Sequence, residues 1–306
     1  MLYVTTRDDL TAYTSEQAVR ERRAPDGGFY IPYRIPKLSG EERGALRSAG
    51  PEKCISSVVS RFLRVPERLL VPEIRLDILG NRIGLCRIYP KSSGSFRGHI
   101  SELFDRLYPG ERADHLWLSI GVRIGAVAAS LMEYHRVDTG CEDRAVDIAM
   151  LSGDLFGPVS AYLAREMGFP VGKIICVCNE NSAFWELLHH GQLRTDLIAA
   201  RTSVPEADVA IPDGLECLIA LCCGWEEAGR YLEAMRTGSL YVPGDEYLGR
   251  LKSVFRAGVV TGSGVLRGAR AAHGAEVSAG TALALAGLLD YRAWSRVSGP
   301  ALVIAE

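Results

Sequence analysis

Residues 145–191 read AVDIAMLSGDLFGPVSAYLAREMGFPVGKIICVCNENSAFWELLHHG. Residues 145–151 form a short apolar run with one acid, and residues 171–178 form a second, nearly continuous one. Unbroken runs of this kind suit strands of a parallel sheet covered on both faces. Between them lies a helical pattern that carries Pro158 in its first turn, where a missing N–H costs nothing, and that stops at Gly168 and Pro170. Strand, helix and strand in this order make a βαβ unit. Ligands in that class sit beyond the C-terminal ends of the strands, where the Ser152-Gly153-Asp154 turn falls. Residues 182–190 continue as a helix closed by Gly191.

Working outward, residues 2–5 read as a strand and residues 17–23 as a helix capped by Thr14 or Ser15. Residues 25–28 (PDGG) form a turn, residues 29–32 an extended segment, and Ser39 with Glu41 and Glu42 a helix start. Helical turns follow at 56–63 and 100–107. Beyond the central unit, residues 207–211 are expected as a strand edge, 214–223 and 226–235 as helices, and 244–257 as an amphipathic helix. Residues 259–261 are expected as a strand, 281–290 as a helix and 301–304 as a last buried strand. The expected division is an α+β cap over residues 1–75 and an α/β core over 76–306.

Thirty-five basic and 37 acidic residues nearly cancel, without a basic tract, which argues against nucleic acid. Eight cysteines are too few for a disulfide scaffold, and Cys176, Cys178, Cys222 and Cys223 lack zinc spacing, so they read as small apolar core residues and no metal is expected. His189 and His190 are adjacent and diverge on a helix. No signal-peptide core is evident and no apolar run is judged long enough to span a bilayer, which leads to the expectation of a cytoplasmic protein with reduced thiols and no membrane contact. Only five of the basic residues are lysines.

Residues 16–42, EQAVRERRAPDGGFYIPYRIPKLSGEE, resemble the N-terminal signature of threonine synthases. The resemblance returns at residues 152–170, where SGDLFGPVSAYLAREMGFP is similar to the family's SGNFGDLTAGLLAKSLGLP without a gap. It continues at 208–216 (DVAIPDGLE). It implies pyridoxal-phosphate fold type II: a three-layer α/β core with a largely parallel sheet and a smaller domain covering the cofactor. The activity it implies is conversion of O-phosphohomoserine to threonine. The family's ELFHGPTLAFKDFG stretch corresponds to residues 83–107, where Arg97 takes the place of the lysine that forms the imine. A guanidinium stays protonated and offers no nucleophilic pair. Lys91 is the one nearby alternative. The family's long segment after this point is missing, so the small domain is expected to be reduced to a remnant around 83–118. In the residues matching the family's cofactor-phosphate turn, Asp154 replaces a neutral residue and Phe156 a glycine, which is expected to crowd the turn. Thr281 stands where the family threonine approaches the pyridine nitrogen.

The expected protein is therefore a shortened threonine-synthase relative that has lost pyridoxal-phosphate catalysis, with no cofactor. It retains a pocket for a small phosphorylated or carboxylate ligand. The candidate anion-binding residues are Arg87, Lys91, Ser92, Ser93, Arg97, Ser119, Arg123, Ser152, Gly153, Asp154 and Thr281. Two alternatives are a working lyase on O-phosphohomoserine, with Lys91 holding pyridoxal phosphate, and an accessory protein. The accessory protein would form a homodimer or pair with a full-length threonine synthase. Gly262 and Gly264 form a further, weaker anion-turn candidate.

Overall fold

The computed structural model describes residues 1–65, 73–89, 96–111, 115–138 and 144–305. The N-terminal part contains β1 (Leu2–Thr5), β2 (Tyr13–Thr14), α1 (Ser15–Arg20), β3 (Tyr30–Pro32), α2 (Gly40–Ala49) and α3 (Pro51–Phe62). Next come β4 (Glu73–Gly80), β5 (Ile83–Tyr89), α4 (Phe96–Leu107), α5 (Leu116–Val137), β6 (Val146–Leu151), α6 (Phe156–Glu166) and β7 (Val171–Cys178). The remainder is α7 (Ala183–His190), α8 (Gly214–Cys223), α9 (Trp225–Thr237), α10 (Asp245–Val254), β8 (Phe255–Val259), α11 (Ser263–Ala271), α12 (Ala279–Ser295) and β9 (Ala301–Ala305).

Several boundaries follow from local chemistry. At α1 and α2, Thr14 and Ser39 accept the N3 backbone N–H while Gln17 and Glu42 bond back to the cap N–H, closing two capping boxes. Pro51 opens α3, and Gly191, in the left-handed region, closes α7.

Six strands form one sheet in the order β4-β5-β9-β6-β7-β8, antiparallel between β4 and β5 and parallel elsewhere. The apolar runs are continuous because both faces are covered. On β7, Ile174, Cys176 and Cys178 face the side packed by α3, α5, α6 and α7, whereas Ile175 and Val177 face α12. The C-terminal strand β9 divides the same way, with Leu302 and Ile304 to one side and Ala301 and Val303 to the other. This is a three-layer α/β/α core. The smaller antiparallel sheet, β2-β1-β3, is anchored where the Tyr3 and Trp117 rings meet edge to face at 4.9 Å and the Trp117 indole donates to Tyr30 O at 2.6 Å.

Some expectations need correction. Residues 207–211 are not a strand: a 3-10 turn (Pro205–Ala207) precedes an irregular loop, because the N–H groups of Ala207, Asp208 and Val209 bond within the turn. The helix expected to reach 257 ends at Val254. Residues 255–259 pair instead with β7, from Ile174↔Phe255 to Cys178↔Val259. Helices α3 and α4 start earlier than expected, and α12 runs past 290 to Ser295. Helix α5, at 22 residues, is long and apolar enough to cross a membrane, contrary to the sequence estimate; 83% of its apolar window is buried inside the protein, as in a core helix.

Candidate functional site

At the C-terminal ends of β6 and β9 lies a cavity of about 390 Å³. Its floor is apolar (Met150, Leu151, Val209, Ile304), and its polar lining comprises Arg123, Ser152, Asp154, Glu206, Ser278 and Thr281. Two helices start there. Helix α12 is capped by Ser278, whose Oγ accepts the Thr281 N–H at 3.1 Å and lies 2.9 Å from the Thr281 hydroxyl.

Helix α6 starts at the Ser152–Leu155 turn. Ser152 N–H donates to Val177 O, and Leu155 N–H returns to Ser152 O at 2.6 Å. Gly153 and Leu155 both have positive φ, 42° and 65°. Gly153 suits that conformation, and even a Cβ there would meet Glu206 O at 3.0 Å. The Asp154 carboxylate accepts the Phe156 N–H at 3.0 Å. Phe156 itself is buried and packs edge to face on Phe29 at 5.6 Å. It points into the core and does not line the cavity, so the expected crowding of the turn does not occur. The left-handed Leu155 sets the helix start so that Phe156 enters the interior.

A second cavity, about 520 Å³, adjoins the first, since Arg123 and Asp154 line both. Arg97, His115 and Ser119 also line it, at the N-terminal turns of α4 and α5, and so does Arg22, from the segment that follows α1. Arg123 donates to Ser119 Oγ at 2.5 Å and its guanidinium lies 4.6 Å from the Phe96 ring centre. Arg22 is bonded to Asp213 at 2.8 Å. Among the described residues, three guanidinium groups and one carboxylate line this compartment, with Arg22 paired to Asp213, whereas two carboxylates and one arginine line the first.

The fold thus gathers Arg97, Ser119, Arg123, Ser152, Gly153, Asp154 and Thr281 around a cleft of two adjoining cavities. Arg87 lies apart on β5, bonded to Asp77 and 3.5 Å from Glu276 O, and lines neither cavity. Lys91, Ser92 and Ser93 lie outside the described residues. Among the described residues, no lysine lines either cavity: Lys37 pairs with Glu166, and Lys173 donates to Ser253 O near the opposite end of the sheet. The described residues contain no group of three or more metal-ligating side chains. Burial pushes the Cys178 thiol up to about 11 and the Cys86 thiol up to about 12, which removes thiolate chemistry at neutral pH. Gly264 is a packing glycine, since a Cβ there would lie 2.0 Å from Val260 Cγ1, and its N–H is bonded to Thr261 O at 2.7 Å.

Sequence reading missed Arg22, His115, Glu206 and Ser278. The spacing of Ser278 before an apolar helix was a usable capping signal. Nothing local to Arg22 indicates that it lines the same cavity as Arg123.

Residues 2–75 match the family described as threonine synthase N terminus. No curated protein matches the chain in sequence. Among solved structures, the PLP-bound threonine synthase from Brucella melitensis superposes with a TM-score of 0.79 at 15% identity, over 100% of this chain and 88% of that one. Threonine synthase from yeast gives 0.80 at 13% identity over 99% and 86%, and that from Escherichia coli 0.69 at 14% over 100% and 88%. At these identities the likeness is one of fold: the chain has the three-layer architecture of the threonine synthases, and its first quarter carries their N-terminal sequence signature.

Proposed function

We propose that this protein is a threonine-synthase relative that has given up pyridoxal-phosphate catalysis, with a reduced small domain, and that it binds a small phosphorylated or carboxylate ligand in the arginine-lined part of its cleft. The observation that carries this reading is the meeting of Arg97, Ser119 and Arg123 in one compartment, with Arg97 at the position matching the family's imine lysine. Planar guanidinium groups recognise phosphate and carboxylate through paired N–H donors. The described residues do not fit pyridoxal phosphate. None of them offers a lysine to the cleft, and an aspartate carboxylate holds an N–H at the turn matching the family's phosphate site.

Two measurements test the reading. After incubation with pyridoxal phosphate and borohydride, peptide mass spectrometry should find no stoichiometrically labelled lysine. Labelling of Lys91 would replace this reading with a working lyase whose imine residue has moved. Calorimetry with inorganic phosphate and O-phosphohomoserine should detect binding that Arg97→Ala weakens by about tenfold or more. Binding by neither compound, or binding indifferent to Arg97, would remove the anion site.

A further inference from the structure

A helix start with open N–H groups attracts anions, because unpaired donors and the helix dipole act together. At α6 the chain supplies the anion itself. Asp154 Oδ1 accepts the Phe156 N–H at 3.0 Å, and the residue is pinned from the other side, its carbonyl accepting the Gly214 N–H at 2.8 Å. The approach of that loop is close, since a Cβ on Gly214 would lie 2.6 Å from Asp154 O. Glu206 adds a second carboxylate to the same cavity; its Oε1 would lie 3.7 Å from a Cβ on Gly280, in the first turn of α12.

We infer that Asp154 is the resident anion of the α6 N-terminus and determines which compartment an anionic ligand enters. Its carboxylate takes up a helix-start donor in a charge-assisted hydrogen bond. An incoming phosphate would have to displace that carboxylate or sit beside it against like-charge repulsion. Asp154 also faces the arginine compartment, so the same residue that closes the turn borders the route left open. The closure of the turn rests on the turn's own geometry; only the alternative destination, the arginines, rests on the function proposed above.

Titration of inorganic phosphate into the full chain, followed by calorimetry, separates the two ideas. Asp154→Gly removes the resident carboxylate and should create a phosphate site that survives Arg97→Ala. In the Arg97→Ala background it should bind phosphate at least about tenfold more tightly than Arg97→Ala alone. Asp154→Asn keeps the shape and the acceptor while removing the charge, so it serves if glycine unsettles the turn; it should strengthen phosphate binding in the same background by about threefold or more. Phosphate binding no stronger than in Arg97→Ala alone, in whichever of these variants folds, overturns the inference. Phosphate binding by Asp154→Gly, with none by the parent protein, would discard the arginine site and leave the inference standing.

Discussion

Asp147 sits near the N-terminal start of β6, at the end of the strand away from the cleft, and its carboxylate accepts the Lys173 N–H at 2.7 Å. A Cβ on Gly172 would lie 2.3 Å from that oxygen, which explains a glycine inside an otherwise apolar strand. Burial pushes the Asp147 carboxyl above the usual carboxylate range, against the opposing pull of the Lys173 N–H and the Arg292, Lys173 and Arg256 charges. A folded pKa raised above the unfolded value means that the stability is fully present below about 3.9, the ordinary aspartate value, and is lost as pH rises through the folded one. Asp147→Asn keeps the acceptor without the charge. Its urea midpoint should exceed that of the parent at pH 7, and the gap should narrow as the pH falls through the raised folded value toward about 3.9. A gap independent of pH would show that the charge is not the cause. Phe156 gives the contrasting lesson at this scale. Its position at the turn was legible, but its direction depended on the left-handed backbone of Leu155 and on Phe29, more than a hundred residues away.

Among the elements, the pair α11 and α12 depends on close backbone approach. A Cβ on Gly268 would lie 1.8 Å from Ala282 O and 2.6 Å from its carbonyl carbon, and backbone cannot turn aside as a side chain can. Gly268→Ala should therefore destabilise the protein by about 1–3 kcal/mol, read as a lowered thermal midpoint. An unchanged midpoint would mean that the helices slide apart at no cost. Because Ser278 and Thr281 stand at the start of α12, the same change should also weaken any ligand held in the first cavity. Strands β7 and β9 were readable as unbroken apolar runs, and the structure shows why: alternate residues enter two different cores. The start of β8 was not readable. Residues 255–257 continue an amphipathic helical pattern, and only the open edge of β7 draws them into a strand.

Across the whole molecule, one hydrophobic cluster extends from Tyr3 and Val4 in the N-terminal sheet through α3 and α5 to Leu302 and Ile304 in the last strand. Trp117 donates to Tyr30 O at 2.6 Å and Trp225 to Thr5 O at 2.7 Å, so two indoles tie that small sheet to distant helices. Tryptophan fluorescence and far-ultraviolet circular dichroism should therefore report coincident urea transitions. A separate early loss of fluorescence would show the N-terminal part unfolding by itself. The sequence by itself determined the strand–helix–strand unit, the capped helices, the turn at residues 152–154 and the likeness to threonine synthases, because these depend on periodicity, capping and neighbours in the chain. Only the tertiary structure decided that Arg22, Arg97 and Arg123 share a compartment, that Arg87 stands apart beside Asp77, and that β9 lies between β5 and β6. Those arrangements join residues far apart in sequence, and they arise from covering both faces of one sheet, which no local pattern encodes.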